Sequence, residues 1–147
     1  MLNTTPVVPG PISESLAGAL DQADRLSAVH PDDLSFPWVN RSRGEVVLTA
    51  VTAAGREQAA SFRASVPVRI EEVRHSRSYL KHIMDSAIGR QNQAGVTVWA
   101  TFPDAEHNRI ILEVTSLPQS FVAQLAAAYD PSALALVAAR DPGSGPQ

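Results

Sequence analysis

The chain has 147 residues, of which 44% are hydrophobic and 18% charged, and its formal net charge is −3. This composition is typical of a globular protein with a sizeable core, and it argues against a disordered chain and against a nucleic-acid partner. The absence of cysteine excludes disulfides, thiolate zinc sites and cysteine nucleophiles, and no apolar run approaches the roughly 20 residues of a membrane-spanning helix.

A helix is the first predicted element. Residues 1–12 contain three prolines and no apolar periodicity, so we expect a flexible N-terminal segment. Ser13 can cap the helix that follows, and Pro31 predicts its end near Val29. The helix has apolar residues three and four positions apart, namely Leu16, Ala19, Leu20 and Ala23.

Residues 34–73 predict a hairpin, a helix and a strand. The segments SFPWV and EVVLTAVT are rich in strand-forming residues and are separated by the polar turn NRSRG. Pro37 has no N–H to donate and confines the first strand to an edge. A helix over about residues 54–65 and a strand over residues 66–73 complete this unit.

The next helix has the clearest pattern in the chain. Ser76 or Ser78 can cap it, and Gly89 offers a stop. Its apolar residues form a stripe along one face, namely Leu80, Ile83, Met84, Ala87 and Ile88.

A second hairpin is predicted over residues 95–116, with the turn PDAEHN between its strands. In its first strand the core side alternates with a more polar side, and the core side holds Val96, Val98, Ala100 and Phe102. Trp99 and, in the second strand, Ile111 then fall on the polar side. A helix through Phe121 and Leu125 and a strand over residues 133–139 follow, and residues 141–147 predict a disordered tail.

The same order of elements therefore occurs twice, with Trp38 matching Trp99. We predict one α+β domain over residues 13–140, built from two ββαβ units at about residues 34–73 and 95–139 and joined by the helix between them. A single unit cannot bury both its sheet and its helix, so the units should share a core as one continuous sheet or two small sheets. We expect mainly antiparallel sheet covered by helices on one face.

The runs PWVNRSRGEVVLTAV and TFPDAEHNRIILEV resemble the hairpin in pro-regions of secreted bacterial chymotrypsin-like serine proteases, of the alpha-lytic protease and streptogrisin type. The resemblance implies a module that catalyses the folding of its protease and inhibits it, and that contacts the enzyme through a sheet edge. The first turn departs from the family pattern at Asn40, where an acidic residue is usual.

Several polar residues are candidates for chemistry. His75, His82 and Asp85 could on paper form a nucleophilic site with Ser76, Ser78 or Ser86, but the histidine spacing is not the i, i+4 spacing of two ligands on one helix face. Asp104, Glu106 and His107 form an acidic turn, which is typical of solvated hairpin loops. We therefore predict a protein without enzyme activity, catalytic residues, metal or cofactor.

A protein partner is the remaining prediction. Large apolar residues on a sheet face without helices indicate a binding surface, unless the first helix covers them. The predicted contact residues are Phe36, Trp38, Trp99, Ile111, Leu134 and Leu136.

Two functions stay open at this point. One is a pro-region-like folding chaperone or inhibitor of a secreted serine protease, and the other is a cytoplasmic accessory or small-molecule-binding domain that forms a homodimer. We expect a secreted or cell-surface protein if Met1 was added to a mature chain, and a cytoplasmic one otherwise.

Overall fold

The computed structural model describes residues 12–88, 98–116 and 119–138, and within them the chain forms four α-helices and six strands. The elements of the first half are α1 (Glu14–Val29), β1 (Trp38–Asn40), β2 (Glu45–Ala50), α2 (Ala53–Ala60), β3 (Val68–Glu72) and α3 (Arg77–Ile88). Those of the second half are β4 (Val98–Asp104), β5 (Arg109–Val114), α4 (Gln119–Ala128) and β6 (Leu134–Ala138), with short 3-10 helices at Ala105–His107 and Pro131–Ala133. None of the helices in these ranges is long and apolar enough to cross a membrane.

Parts of the sequence prediction lie outside the described residues. They are the N-terminal segment up to residue 11, the helix stop at Gly89, the start of the second hairpin at residues 95–97 and the tail at residues 141–147.

The strands form two separate three-stranded sheets, one in each ββαβ unit. In the first sheet β2 pairs with β1 in antiparallel and with β3 in parallel orientation, and β5 pairs with β4 and β6 in the same way. This is the predicted α+β fold with two units. We expected mainly antiparallel pairing, but each sheet is mixed. A helix connects the second strand of each unit to the third and returns the chain to the starting end of the sheet, so the third strand runs parallel to the second.

Helix caps follow the sequence prediction. Ser13 accepts a hydrogen bond from the backbone N–H of Leu16 at 3.1 Å, and α1 ends at Val29. The cap of α3 is Ser76, whose hydroxyl oxygen accepts from the N–H of Tyr79 at 3.1 Å. These bonds satisfy N–H groups that a helix leaves without a partner in its first turn.

The helices cover one face of each sheet, so the protein has two adjoining hydrophobic cores. The first core packs α1 and α2 on the first sheet and contains Leu16, Ala19, Ala23, Leu34, Val46, Leu48, Ala50 and Ala59. The second packs α3 and α4 on the second sheet and contains Leu80, Ile83, Ala87, Val98, Ile110, Leu112, Val114, Phe121, Leu125, Tyr129 and Ala133.

The two sheets match residue by residue around their hairpins. Each hairpin turn ends on a residue with positive φ, which is 61° at Gly44 and 53° at Asn108. Trp38 lies opposite Val47 in the first sheet, and in the second sheet Phe102 occupies the same place relative to its turn. The structural counterpart of Trp38 is therefore Phe102, and the predicted match with Trp99 is corrected.

A β-bulge at Trp99 is the reason for this difference. The pairing of β4 with β5 shifts by one residue between Val98 and Ala100, which makes Trp99 the extra residue. Side chains alternate along a strand, so one extra residue reverses the facing of all that follow. Ala100 and Phe102 consequently lie on the face without helices, where the sequence alternation placed them on the core side.

Polar contacts of Asn108 and Arg77 join the second hairpin and α3 to earlier parts of the chain. The side-chain amide of Asn108 accepts from the N–H of His75 at 2.7 Å, and it donates to the His75 carbonyl at 2.9 Å and to Ser35 Oγ at 3.0 Å. The guanidinium of Arg77 donates to Asp24 in α1 at 2.7 Å and lies 4.6 Å from the centroid of the Phe36 ring. The hairpin turn of the second unit and the start of α3 are thereby fixed to the first unit.

Candidate functional site

The helix-free face of the first sheet is closed by its own side chains. Trp38, Val47 and Arg69 form a row across the three strands. The guanidinium carbon of Arg69 lies 5.7 Å from the centroid of the Trp38 ring, which is a cation–π distance. Val47, between them in the row, is 0% exposed.

Two carboxylates hold Arg69 in this position. Glu45 accepts a hydrogen bond from its Nε and Glu71 one from its Nη1, both at 3.1 Å. These hydrogen bonds raise the pKa of Arg69. Trp38 and Arg69 therefore form a fixed cover over the middle of the sheet.

Among the residues that the structure describes, none forms such a cover over the corresponding face of the second sheet. Its central row consists of Phe102, Ile111 and Ala135, so alanine stands where the first sheet has Arg69. Phe102 is 38% and Val137 43% exposed. We call this surface the open face, and it comprises Ala100, Phe102, Asp104, Arg109, Ile111, Glu113, Ala135 and Val137.

Charged side chains stand on both sides of Ile111 on the open face. Arg109 precedes it and Glu113 follows it by two residues on β5, so the three side chains point the same way. The Arg109 side chain is 39% exposed, and its Nε donates to Asp104 at 2.9 Å. Within the described ranges, Glu113 has no ion-pair partner.

Three of the predicted contact residues pack toward the helices instead of the open face. Phe36, Leu134 and Leu136 are half-buried against the second core. The two leucines belong to the inward-facing set of β6, because they lie beside the buried Ile110 and Leu112 of β5.

The other three predicted contact residues have different environments. Trp38 is half-buried beneath Arg69, and its Nε1 is buried without a hydrogen-bond acceptor among the described residues. Trp99 is the half-buried residue of the bulge. Of this set, Ile111 is the residue on the open face. Sequence reasoning missed Phe102, because nothing in the alternation of β4 signals a bulge.

His75 contacts a serine that the sequence did not suggest. Its Nε2 lies 2.9 Å from the Oγ of Ser132, 57 residues later in the chain. The Ser132 hydroxyl also lies 2.8 Å from Asp130, whose carboxylate caps the 3-10 helix at Pro131. The carboxylate thus contacts the serine and not the imidazole, whereas in a catalytic triad it orients the histidine. The cluster fastens the start of β6 to the segment before α3.

The remaining residues of the predicted histidine group brace α3. Ser76 caps the helix, Ser78 donates to a carboxylate in the connection after α1, and Ser86 donates to a backbone carbonyl of α3 itself. His82 and Asp85 lie on the exposed side of the helix. Among the described residues, no hydrogen bond joins a serine hydroxyl to either of these two side chains.

The acidic turn uses its carboxylate locally. The Nδ1 of His107 lies 3.0 Å from Asp104, which also accepts a hydrogen bond from Arg109. Burial alone would raise the pKa of Asp104, but these hydrogen bonds outweigh it and the pKa is lowered. Glu106 is exposed. In the part of the chain that the structure describes, no group of three or more potential ligand side chains is placed to hold a metal ion.

We expect His75 to make the protein sensitive to mild acid. The residue is 6% exposed, and this burial lowers the pKa of His75 below its ordinary value of 6.5. The unfolded chain therefore binds this proton more readily than the folded one, so the free energy of unfolding should decrease as the pH falls below about 6.5. Urea unfolding at a series of pH values measures this decrease.

His75→Gln is the matched variant for this experiment, because its amide can still contact Ser132 but does not titrate. Between about pH 7 and pH 5 its stability should change less than that of the wild type. The lowered pKa values of Asp104 and Asp130 act only in stronger acid, near and below 3.8. Equal losses in both proteins over this interval would contradict the assignment to His75.

The chain matches no protein-family model, and a comparison with curated protein sequences finds no match.

Proposed function

We propose that this chain is a non-catalytic protein-binding domain that docks another polypeptide on the open face. The observation that carries the proposal is the difference between the two equivalent sheet faces. In the first unit, Arg69 lies over Trp38 and Val47 is fully buried, whereas Ala135 leaves Phe102 exposed in the second. An aromatic ring among aliphatic side chains on a rigid sheet is the kind of surface that a protein partner covers.

The resemblance of the two hairpins to protease pro-regions supports a secreted chymotrypsin-like serine protease as the partner. In this version of the proposal, the chain assists the folding of the protease or inhibits it. The paired strands β4 and β5 carry most of the open face, so the site is already folded before a partner binds.

A protease assay with surface variants tests this function. The purified chain is added to a chymotrypsin-like protease of the organism that encodes it, and both peptide hydrolysis and refolding yield are measured. We expect the wild type to inhibit hydrolysis or to raise the yield. Phe102→Lys should weaken binding roughly thirtyfold, because it removes an aromatic contact worth about 2 kcal/mol.

Val29→Lys is the control, since Val29 is an exposed apolar residue at the end of α1, away from the open face. It should bind as the wild type does. No effect of the wild-type chain on either readout would reject the protease as partner, and equal effects of both lysine variants would reject the open face as the site.

A further inference from the structure

The open face carries a charge pattern that is complementary to itself. Along β5, the basic residue Arg109 and the acidic residue Glu113 are equally far from Ile111 on the same face. If a second β5 strand is laid over the first in the opposite direction and centred on Ile111, each arginine meets a glutamate. A surface that matches its own copy after a two-fold rotation is the requirement for a symmetric dimer interface.

We propose that a second copy of this chain covers the open face, with the two β5 strands stacked antiparallel. The two-fold axis lies midway between the two sheets and runs parallel to the row of Phe102, Ile111 and Ala135. This inference rests on the proposed function, because it names the polypeptide that docks on the open face in the free protein. A protease partner then has to displace the second copy. The two sheets pack face to face, about 10 Å apart.

The positions of Phe102 and Ala135 agree with this arrangement. The axis is perpendicular to the strands and keeps their order, so β4 lies over β4 and β6 over β6. The Phe102 rings of the two copies therefore meet, and Ala135, the smallest side chain in the row, leaves room for the approach of the second sheet. Arg109 still has N–H groups for Glu113 of the second copy, because its bond to Asp104 uses Nε.

The size of the open face predicts a weak dimer. Its three strands have five to seven residues each, which places the buried area at the low end for specific interfaces. Dimer and monomer should therefore exchange with concentration. Light scattering and sedimentation over a roughly hundredfold concentration range should give a mass that rises toward twice that of one chain.

Charge reversal at each end of the pattern tests the pairing. Glu113→Arg places like charges against each other in a dimer of that variant, and so does Arg109→Glu. Each variant alone should remain monomeric at concentrations at which the wild type is dimeric. In an equal mixture of the two, both contacts join opposite charges again, so a heterodimer should form. Circular dichroism melts verify that each variant is folded.

The outcomes separate this inference from the proposed function. A wild-type chain that stays monomeric, or a dimer that both charge variants retain, overturns the second copy as occupant. If Arg109→Glu fails to fold because it loses the contact with Asp104, Glu113→Arg decides alone. A dimeric Glu113→Arg overturns the second copy as occupant, and a monomeric Glu113→Arg, beside a dimeric wild type, supports it. A monomeric chain whose effect on the protease is lost in Phe102→Lys leaves the proposed function standing while the dimer fails.

Discussion

Gly55→Ala should destabilise the protein by about 3 kcal/mol, although alanine ordinarily stabilises a helix by about 1 kcal/mol relative to glycine. Gly55 lies in the first turn of α2, and a β-carbon there would be 2.1 Å from the carbonyl oxygen of Asp33. That oxygen cannot move away easily, because it accepts the N–H of Val51 at 2.8 Å. The side chain of Asp33 is also fixed, since it accepts from Thr52, the cap of α2, at 2.7 Å.

Gly18→Ala is the matched control for this prediction. Gly18 is exposed within α1, and a β-carbon there would have no atom within 4 Å. This change should therefore raise the free energy of unfolding by about 0.5 to 1 kcal/mol. Urea unfolding of both variants measures the two effects. A Gly55→Ala protein that is more stable than the wild type would contradict the predicted clash between the new β-carbon and the Asp33 carbonyl oxygen.

Asn108→Ala should cost the protein about 3 to 4 kcal/mol. Three hydrogen bonds are lost, two of which satisfy the backbone N–H and carbonyl of His75 and one of which reaches Ser35. Each contributes about 1 kcal/mol. The backbone at this position has φ of 53°, a left-handed conformation that asparagine tolerates better than alanine. Thermal and urea unfolding give the loss.

Asn108→Gly separates the two causes. Glycine adopts positive φ without strain but lacks the amide, so its loss should be about 1 kcal/mol smaller than that of alanine. Asn108→Asp keeps the acceptor for the His75 N–H and loses both donated bonds. If all three variants were as stable as the wild type, the Asn108 contact between the two units would not contribute to the fold.

Local patterns in the sequence were sufficient to predict most of the elements. Ser13 and Pro31 delimit α1 because a cap and a proline act on their immediate neighbours. The alternation of β5 was read correctly, since Ile110, Leu112 and Val114 are all fully buried. These features depend on residues close together in the chain, which is why one sequence reveals them.

The features that the sequence did not reveal depend on contacts between residues far apart in the chain. The bulge at Trp99 is set by how β4 pairs with β5, and the residues of β4 alternate as they would in a regular strand. The cover over Trp38 requires Arg69, which is two strands away, and the contact of His75 with Ser132 spans 57 residues. No local spacing rule brings such residues together.

The bulge also has a consequence for how sequences related to this chain should be aligned. Because Trp99 is the additional residue of the bulge, a related chain without it could pair β4 with β5 as a regular ladder, with Phe102 still opposite Ile111 on the open face. An alignment gap of one residue at this position would therefore be compatible with an unchanged set of outward-facing side chains, whereas a gap elsewhere in the strand would reverse their facing.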